Sequence, residues 1–307
     1  MRGNEVARAA ELDAGLVDFA ANTPLPGIAN AEARSVLVEQ LVESCRRIDF
    51  VTRVAERGIS PERENPHSPI FDPIRAAILK MLNGEMDEAY WLIFLAIHFG
   101  KHSDDGWELV RNVYGRLGAL PIWTWASVVA NPAAFRQWMG ANGNQLAQWR
   151  FGNHRKYESL SAVSESGTPS VVESYIAWVG PPRTHAAVVQ NAQQQVGHDP
   201  GAIFDFLYKS MAGVARFGRL ATFDYLTMIA KVGLATIRPP TAYLAAATGP
   251  KKGARLLFGG ARNAKISPRE LEGRLVELDK LLNVGQQVLE DALCNWQKSP
   301  TSFVPFR

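Results

Sequence analysis

Apolar residues recur along most of the chain at the i, i+3, i+4 and i+7 positions that place them on one side of an α-helix. The segments Glu32–Ala55 and Glu88–Phe99 follow this period, and a stripe of leucines continues it near the carboxyl end. The leucines of that stripe are Leu271, Leu275, Leu278, Leu281 and Leu282. No alternation of apolar and polar residues is long enough to predict a β-strand. The pattern therefore predicts an all-α fold.

Four helix starts are marked by a capping residue that is followed directly by proline. They are Asp72-Pro73, Asn131-Pro132, Asp199-Pro200 and Ser267-Pro268. A side-chain oxygen at such a position accepts a hydrogen bond from the first turn, and proline fits the first helical position because its missing N–H is not needed there. Ser267 is also followed three residues later by Glu270, which is the spacing of a capping box.

The helical pattern is interrupted where glycine, proline and serine gather. The predicted breaks are Gly58–Ser68, Gly140–Gln145, Ser164–Ser170, Val179–Thr184 and Arg238–Pro240. None of them is long or repetitive enough to act as a flexible tether between domains. We expect a compact helical unit of one or two lobes with a central cleft, in which residues 71–260 form the core and residues 1–70 and 261–307 add terminal helices.

Composition narrows the class of protein. Of 307 residues, 47% are hydrophobic and 21% are charged, which is typical of a globular protein with a sizeable core. The two cysteines, Cys45 and Cys294, are too few for a disulfide framework, a four-cysteine iron–sulfur cluster or a cysteine-rich zinc module. We expect no signal peptide and no membrane segment, since apolar runs such as Trp91–Ile97 are far shorter than about 20 residues. A cytoplasmic protein is expected.

Basic residues concentrate in one stretch, although the net charge of the whole chain is only +3. Between Lys209 and Arg269 there are eleven lysines and arginines and a single acid, Asp224. Such a stretch favours a polyanionic partner, and the alternative is a solvated surface that happens to be basic.

The apolar helix before residue 100 ends in a group of titratable residues. Gly100 has the position of a helix C-cap, and the cations that follow it complement the negative end of the helix dipole. A second interpretation is that the helix brings His98, Phe99, Lys101 and His102 to the floor of a pocket. Their spacing alone does not predict a metal site, because no third ligand accompanies His98 and His102.

Two further segments combine cations with features that suit phosphate contact. In Trp149–Tyr157, basic and aromatic residues alternate around Asn153, which is placed to cap a helix start; a solvated helix end is the alternative. The helix predicted over Ala202–Met211, the glycine-bearing turn and the helix that follows form a helix–hairpin–helix pattern. A second such element is predicted at Thr248–Ala254. The DNA-contacting residues predicted from these segments are Asn153, His154, Arg155, Lys156, Arg216, Gly218, Arg219, Lys251 and Lys252.

Asp224 is the single acid of the basic stretch and the first candidate for catalysis. Cations nearby favour the charged form of a carboxyl group, so we expect Asp224 to stay ionised. Such a carboxylate stabilises a cationic sugar centre or activates a water molecule when a glycosidic bond breaks. The alternative is a structural ion pair with Arg219 or Arg238.

The sequence lacks the patterns of several enzyme classes. It contains no P-loop, no G-x-S-x-G elbow, no G-x-G-x-x-G loop and no zinc-deaminase signature. We therefore expect no metal and no organic cofactor.

The order WLIFLAIHFGKH, NPAAFRQW, GNHRKYESL and GVARFGR is similar to that of the helix–hairpin–helix DNA glycosylases. It resembles more closely the divergent branch of alpha-glutamyl/putrescinyl thymine pyrophosphorylases, to which a bacterial anti-phage glycosylase that removes α-glucosylated hydroxymethylcytosine is also assigned. The likeness spans roughly Phe71–Gly260. It implies a glycosylase-like fold in which residues 98–102 lie beside an extruded base, while the Asn153–Lys156 and Arg216–Arg219 segments hold phosphates.

The chain departs from this family at two catalytic positions. The region where such glycosylases carry an aspartate reads Thr236–Thr241, and Leu220 stands near the usual place of the hairpin lysine. Asp224, Asp104 or Asp105 would therefore have to serve as the catalytic carboxylate. The missing lysine favours simple hydrolysis over a Schiff-base step.

The resemblance implies a DNA N-glycosylase that extrudes and excises a bulky, glucosylated base from phage DNA in anti-phage defence, leaving an abasic site. Its expected partner is double-stranded DNA with modified bases, and a monomer is expected. One alternative is a transferase of thymine hypermodification, which displaces pyrophosphate from an activated hydroxymethyl base. A non-catalytic DNA-binding module is the other.

Overall fold

The protein is all-α. A computed structural model describes residues 3–305, so the predicted terminal segments extend by two residues at each end beyond the described part. Fourteen α-helices and no β-strand form in residues 3–305. The helices are α1 (Gly3–Asn22), α2 (Ala31–Glu56), α3 (Pro73–Leu82), α4 (Met86–Phe99), α5 (Glu108–Tyr114), α6 (Trp125–Ala130), α7 (Pro132–Leu146), α8 (Thr168–Val179), α9 (His185–Val196), α10 (Pro200–Ser210), α11 (Arg219–Val232), α12 (Gly249–Gly259), α13 (Pro268–Leu282) and α14 (Gln286–Trp296).

All four predicted helix starts are confirmed. The side chains of Asp72, Asn131, Asp199 and Ser267 each accept a hydrogen bond from a backbone N–H in the first turn of α3, α7, α10 and α13. These bonds satisfy N–H groups that have no partner inside the helix. Local sequence chemistry therefore determines where these helices begin.

One predicted break is wrong. Residues Gly140–Gln145 lie inside α7, which continues to Leu146. Helix-interior glycines weaken a helix, but the buried side chains of Phe135, Met139 and Leu146 anchor α7 by one side. Tertiary packing thus overrides the local preference of the two glycines.

The chain forms two compact units. The first combines residues up to Val51 with those from Pro239 onward, and the second is Thr52–Arg238. In the first unit, α1 packs on α13 and α12 packs on α14. Leu271, Leu275, Leu278 and Leu282 of the predicted stripe are buried there, whereas Leu281 is exposed.

Helix α4 is the centre of the second unit. Ten of its fourteen residues are buried, and it packs against α3, α5, α6, α9 and α11. A helix that is apolar on all sides has to be enclosed by others, which agrees with its sequence AYWLIFLAI. The carboxyl end of α4 lies beside the segments that carry most of the candidate residues.

A chain of buried hydrogen bonds joins four helices of this unit. On α9, the imidazole of His185 bonds to the Asp87 carboxylate of α4 at 2.8 Å and to the Tyr175 hydroxyl of α8 at 2.6 Å. The Tyr175 hydroxyl in turn lies 2.8 Å from the Tyr225 hydroxyl of α11. Buried polar networks that are satisfied in this way order the elements that carry them. The network therefore holds α11 in place. Asp224, the residue that precedes Tyr225, lies on this helix.

Candidate functional site

The second unit contains a cleft of about 880 Å³. Three segments line it: the loop after α4, the carboxyl half of α7, and the irregular segment that follows α7. The lining residues are His102, Ser103, Met139, Gly140, Gly143, Asn144, Ala147, Trp149, Arg150, Phe151, Asn153, Lys156, Glu158, Ser159, Leu160, Ser161 and Ala162. Binding pockets for organic ligands span about 300–1,000 Å³, so the cleft has room for a nucleobase and a substituent.

Helix α7 presents mostly short side chains to the cleft. Gly140, Gly143, Asn144 and Ala147 have the i, i+3, i+4 and i+7 spacing of one helix side, and all four line the cavity. The absence of long side chains at these positions leaves space next to the helix. Because Gly140–Gln145 was predicted to interrupt the helix, this wall was not expected from the sequence.

Two glycines bring the opposite wall close to the end of α4. The Gly152 N–H donates to the Phe99 carbonyl at 2.8 Å, and a Cβ on Gly152 would lie 2.8 Å from the Gly100 carbonyl carbon. Only glycine permits such backbone contact. Gly152 is followed by a 3₁₀ turn, Asn153–Arg155, and not by the helix for which Asn153 was predicted to be the cap. The turn stands directly beside α4.

Arg155 in this turn is buried, although it was predicted to contact DNA. Only 8% of the residue is exposed, its Nε donates to the Ile97 carbonyl at 2.8 Å, and its guanidinium lies over the Phe217 ring. Its Nη2 has no hydrogen-bond partner within the described part of the chain. Burial lowers the pKa of Arg155, while the charges of Asp224 and Glu158 oppose this effect. Surface contact with a phosphate does not agree with this position.

Asp224 lies in the second turn of α11 and is partly buried. Over residues 3–305, no cation lies within ion-pair distance of its carboxylate, so the predicted alternative of a structural pair with Arg219 or Arg238 is not found. Burial raises the pKa of Asp224, against the attraction of Arg155, Lys231, Arg219 and His154. The sequence suggested that cations would prevail, and the structure gives the opposite direction because desolvation is the larger effect.

Glu158 is a carboxylate of the cleft that sequence analysis missed. Its side chain is 7% exposed and accepts from Arg216, with Nε–Oε2 at 2.9 Å and Nη2–Oε1 at 3.2 Å. Arg216 itself has a φ of 62°, in the left-handed region that non-glycine residues rarely adopt. The two residues are 58 positions apart, so no local pattern shows that they meet. The pair joins the turn before α11 to the cleft wall.

Asp104 and Asp105 lie at the edge of the cleft and hold Arg150. The Asp105 carboxylate accepts from the Arg150 backbone N–H at 3.0 Å and from its Nη2 at 2.8 Å, and Asp104 accepts from Nη2 at 3.2 Å. Hydrogen bonds from Arg150 lower the pKa of Asp105 to about 2. A carboxylate of such low basicity is a weak general base at neutral pH. Unlike Asp104 and Asp105, Asp224 has no ion-pair partner within residues 3–305.

His98 belongs to the core, and this disagrees with its predicted place beside a base. It is 1% exposed, and its Nε2 lies 2.9 Å from the Thr168 hydroxyl. Because that hydroxyl donates its proton to the Ser159 carbonyl, Nε2 is the donor to Thr168. Burial, with the charges of Arg155 and Arg216, lowers the pKa of His98 to about 3, so the imidazole is neutral at pH 7.

The rest of the predicted base pocket is divided. Phe99 is fully buried and stacks on Phe151, and Lys101 is exposed above the Trp107 ring. Neither of them lines the cleft, whereas His102 does. The His102 Nδ1 accepts from the backbone N–H groups of Asp104 and Asp105, both at 3.2 Å. His102 thus shapes the loop at the edge of the cavity.

The predicted DNA-contacting residues do not all share one unit. Asn153, His154 and Lys156 are exposed, and Asn153 and Lys156 line the cleft. Gly218 is exposed at the start of α11, and Arg219 covers the Phe223 ring. Their binding to phosphate stays a prediction.

Lys251 and Lys252 belong to α12 of the other unit. Residues 233–248, which precede α12, are turns and irregular chain, so the second predicted helix–hairpin–helix element is wrong. The basic stretch is divided between the two units at Arg238.

Comparison with known families identifies the chain more directly than any single contact. The family model of alpha-glutamyl/putrescinyl thymine pyrophosphorylase clade 3 matches residues 32–307. The chain belongs to this family. Membership confirms the resemblance to thymine pyrophosphorylases and extends it well beyond Phe71–Gly260. It assigns the chain to an enzyme family of DNA modification, with DNA as the indicated substrate.

No curated protein and no solved structure matches this member of the thymine pyrophosphorylase family. Within residues 3–305, no helix has the length and apolar character needed to span a bilayer. The same part of the chain brings no three histidine, cysteine or acidic residues together in a possible metal site.

Proposed function

We propose that the protein is a DNA N-glycosylase that extrudes a bulky modified base and hydrolyses its glycosidic bond, leaving an abasic site in the DNA of an invading phage. The observation that carries the proposal is the unpaired, partly buried Asp224 carboxylate, which Arg155, Arg219 and Lys231 influence without forming an ion pair. No ion-pair partner competes with a substrate for this carboxylate. Family membership supports DNA as that substrate.

The reaction requires an anionic group because positive charge develops on the deoxyribose. As the bond between C1′ and the base nitrogen breaks, its electron pair leaves with the base, and C1′ and the ring oxygen share a positive charge. A nearby carboxylate stabilises that charge. Water then forms the new C1′–O bond, and its proton passes to Asp224 and from there to solvent. The raised pKa of Asp224 makes it a better proton acceptor than Asp105.

The cleft supplies a place for the extruded base. Trp149 and Phe151 offer aromatic surface, while Lys156 and Asn153 stand exposed where a phosphate would pass. Extrusion costs a few kcal/mol, which stacking and phosphate contacts offset. Asp224 does not line the cleft, but it interacts electrostatically with His154 and Arg155 of the turn whose Asn153 does. The base would thus lie in the cleft and its sugar beside Asp224.

Family membership favours a second candidate function. In a pyrophosphorylase-type transfer, an amine attacks the methylene carbon of an activated hydroxymethyl base, and the bond to pyrophosphate breaks. The glycosidic bond stays intact. Lys156 on the cleft wall is suited to the leaving pyrophosphate, because it has no carboxylate partner within the described residues.

Two product assays separate these functions. The protein is incubated with phage DNA that contains glucosylated hydroxymethylcytosine, with unmodified DNA as the control. Abasic sites are measured by alkaline strand cleavage and free base by chromatography. In parallel, DNA with a pyrophosphorylated hydroxymethyl base is offered with glutamate or putrescine, and pyrophosphate is measured.

We expect base release from the modified DNA and none from the unmodified control. Pyrophosphate release without abasic sites would establish the transferase instead. Binding of modified DNA without either product would overturn both enzymatic functions and leave a DNA-binding module. The missing hairpin lysine leads us to expect no borohydride-trapped covalent complex.

A further inference from the structure

Gly143 has no structural reason to be a glycine. It lies inside α7, its φ is not in the left-handed region, and a Cβ at this position would meet nothing within 4 Å. Gly140 differs, since its Cβ would lie 3.3 Å from the Ala162 Cβ across the cavity wall. A glycine in a helix interior lowers stability relative to alanine. At Gly143 neither packing nor backbone conformation compensates for that loss.

The space beside Gly143 belongs to a wall that is rich in hydrogen-bonding groups. Ser103, Asn144, Ser159 and Ser161 contribute hydroxyls and an amide, and the nine-tenths buried side chain of Glu158 adds a carboxylate. Met139, Phe151 and Leu160 add apolar surface to the same cavity, so the lining suits a substituent that has both polar and apolar faces. The volume of the cleft lies near the upper end of the range for ligand pockets, and a bare nucleobase is a small ligand.

We propose that Gly143 sets the size limit of the cleft and that the substituent of a bulky modified base lies against the α7 side formed by Gly140, Gly143, Asn144 and Ala147. The proposal rests on the proposed function in one respect, that the cleft receives a nucleobase. Beyond that function, we expect the protein to discriminate between large and small bases because Gly143 has no side chain to fill the cleft.

The test fills the space without disturbing the fold. Gly143→Leu places a large side chain in the cavity, and Gly143→Ala provides a graded step. Gly273→Leu is the control, since Gly273 is also a helix-interior glycine whose Cβ would meet nothing within 4 Å, and it is exposed on α13 of the other unit. The thermal midpoint confirms that each variant is folded.

The measurement is the Kd for duplexes with one cytosine, hydroxymethylcytosine or glucosylated hydroxymethylcytosine, by fluorescence anisotropy at fixed salt. We expect wild type to prefer the glucosylated duplex. Gly143→Leu should weaken binding of that duplex by at least about tenfold and of the cytosine duplex by less than about twofold, while Gly273→Leu changes neither. Gly143→Ala should give an intermediate loss.

Binding is measured without chemistry, so the inference and the proposed function fail separately. A wild-type preference that Gly143→Leu abolishes supports the size limit even when no base is released. Equal weakening of all three duplexes would overturn it, because Gly143 would then be a general DNA contact. A wild-type protein without preference for the glucosylated duplex, or a Gly143→Leu variant that keeps the preference, would also overturn it.

Discussion

Two groups of residues near the candidate site use the same residue types for different purposes. The interior region consists of His98, Arg155 and Asp224, which are buried or partly buried, and the cleft region consists of His102, Asp104, Asp105 and Arg150. In the cleft region, hydrogen bonds from Arg150 lower the pKa of Asp105 to about 2. In the interior region, burial raises the pKa of Asp224. Pairing and burial, and not residue type, thus separate a structural carboxylate from a candidate catalytic one.

The histidines repeat this contrast. Burial makes His98 a neutral donor that packs against Phe94 and bonds to Thr168. His102 accepts two backbone N–H groups at the edge of the cleft. Only His102 is positioned to meet a ligand, although His98 lies in the last turn of α4 and His102 only three residues after its end.

The largest difference between the two regions is expected in the rate of base release by Asp224→Asn and Asp105→Asn. Removing the charge that stabilises the cationic sugar should lower single-turnover base release by about 10²–10³-fold in Asp224→Asn. Asp105→Asn should lower it by less than about tenfold, since Asp105 acts by holding Arg150. Unchanged Kd for modified DNA in Asp224→Asn is the control. Equal losses in the two variants would remove the distinction between the regions.

A smaller effect, on stability, is expected from the histidines. His98→Ala empties a packed site and leaves Thr168 without its donor, which should cost about 2–4 kcal/mol of unfolding free energy. His102→Ala loses only the acceptor of two loop N–H groups and should cost about 1 kcal/mol. Urea denaturation measures both. A His98 variant as stable as wild type would argue that His98 is not a core residue.

Local chemistry predicted the helices but not their partners. The capping residues Asp72 and Ser267 act within three residues of themselves, so spacing alone locates them. The prediction of a break at Gly140–Gln145 was wrong because α7 is stabilised by the packing of its buried residues against other elements. A single sequence shows composition, and the packing that overrides it is non-local.

The site was predicted in part, for the same reason. His102, Asn153 and Lys156 line the cleft as neighbours in two short segments. The Glu158–Arg216 pair and the burial of Arg155 depend on contacts across 58 positions each, which periodicity does not encode. The basic residues of Lys209–Arg269 were also predicted to form one surface, but the fold divides them between two units.

The smallest expected effect is the pH dependence of stability, and its sign differs between the two aspartates. Asp224 has a folded pKa above its ordinary value of 3.8, so its contribution is lost as pH rises from about 3.8 through the raised folded pKa. Asp224→Asn should therefore unfold at a higher temperature than wild type at about pH 7.5, with the difference disappearing toward about pH 3.

Asp105 should behave in the opposite way. Its folded pKa of about 2 lies below 3.8, so it stabilises the fold above about pH 3.8 and loses this contribution as pH falls through about 2. Asp105→Asn should consequently unfold at a lower temperature than wild type at about pH 7.5 and converge with it in acid. Differential scanning calorimetry of the three proteins gives these differences. Shifts of the same sign in both variants would mean that the two carboxylates share one kind of environment, which contradicts the division into interior and cleft regions.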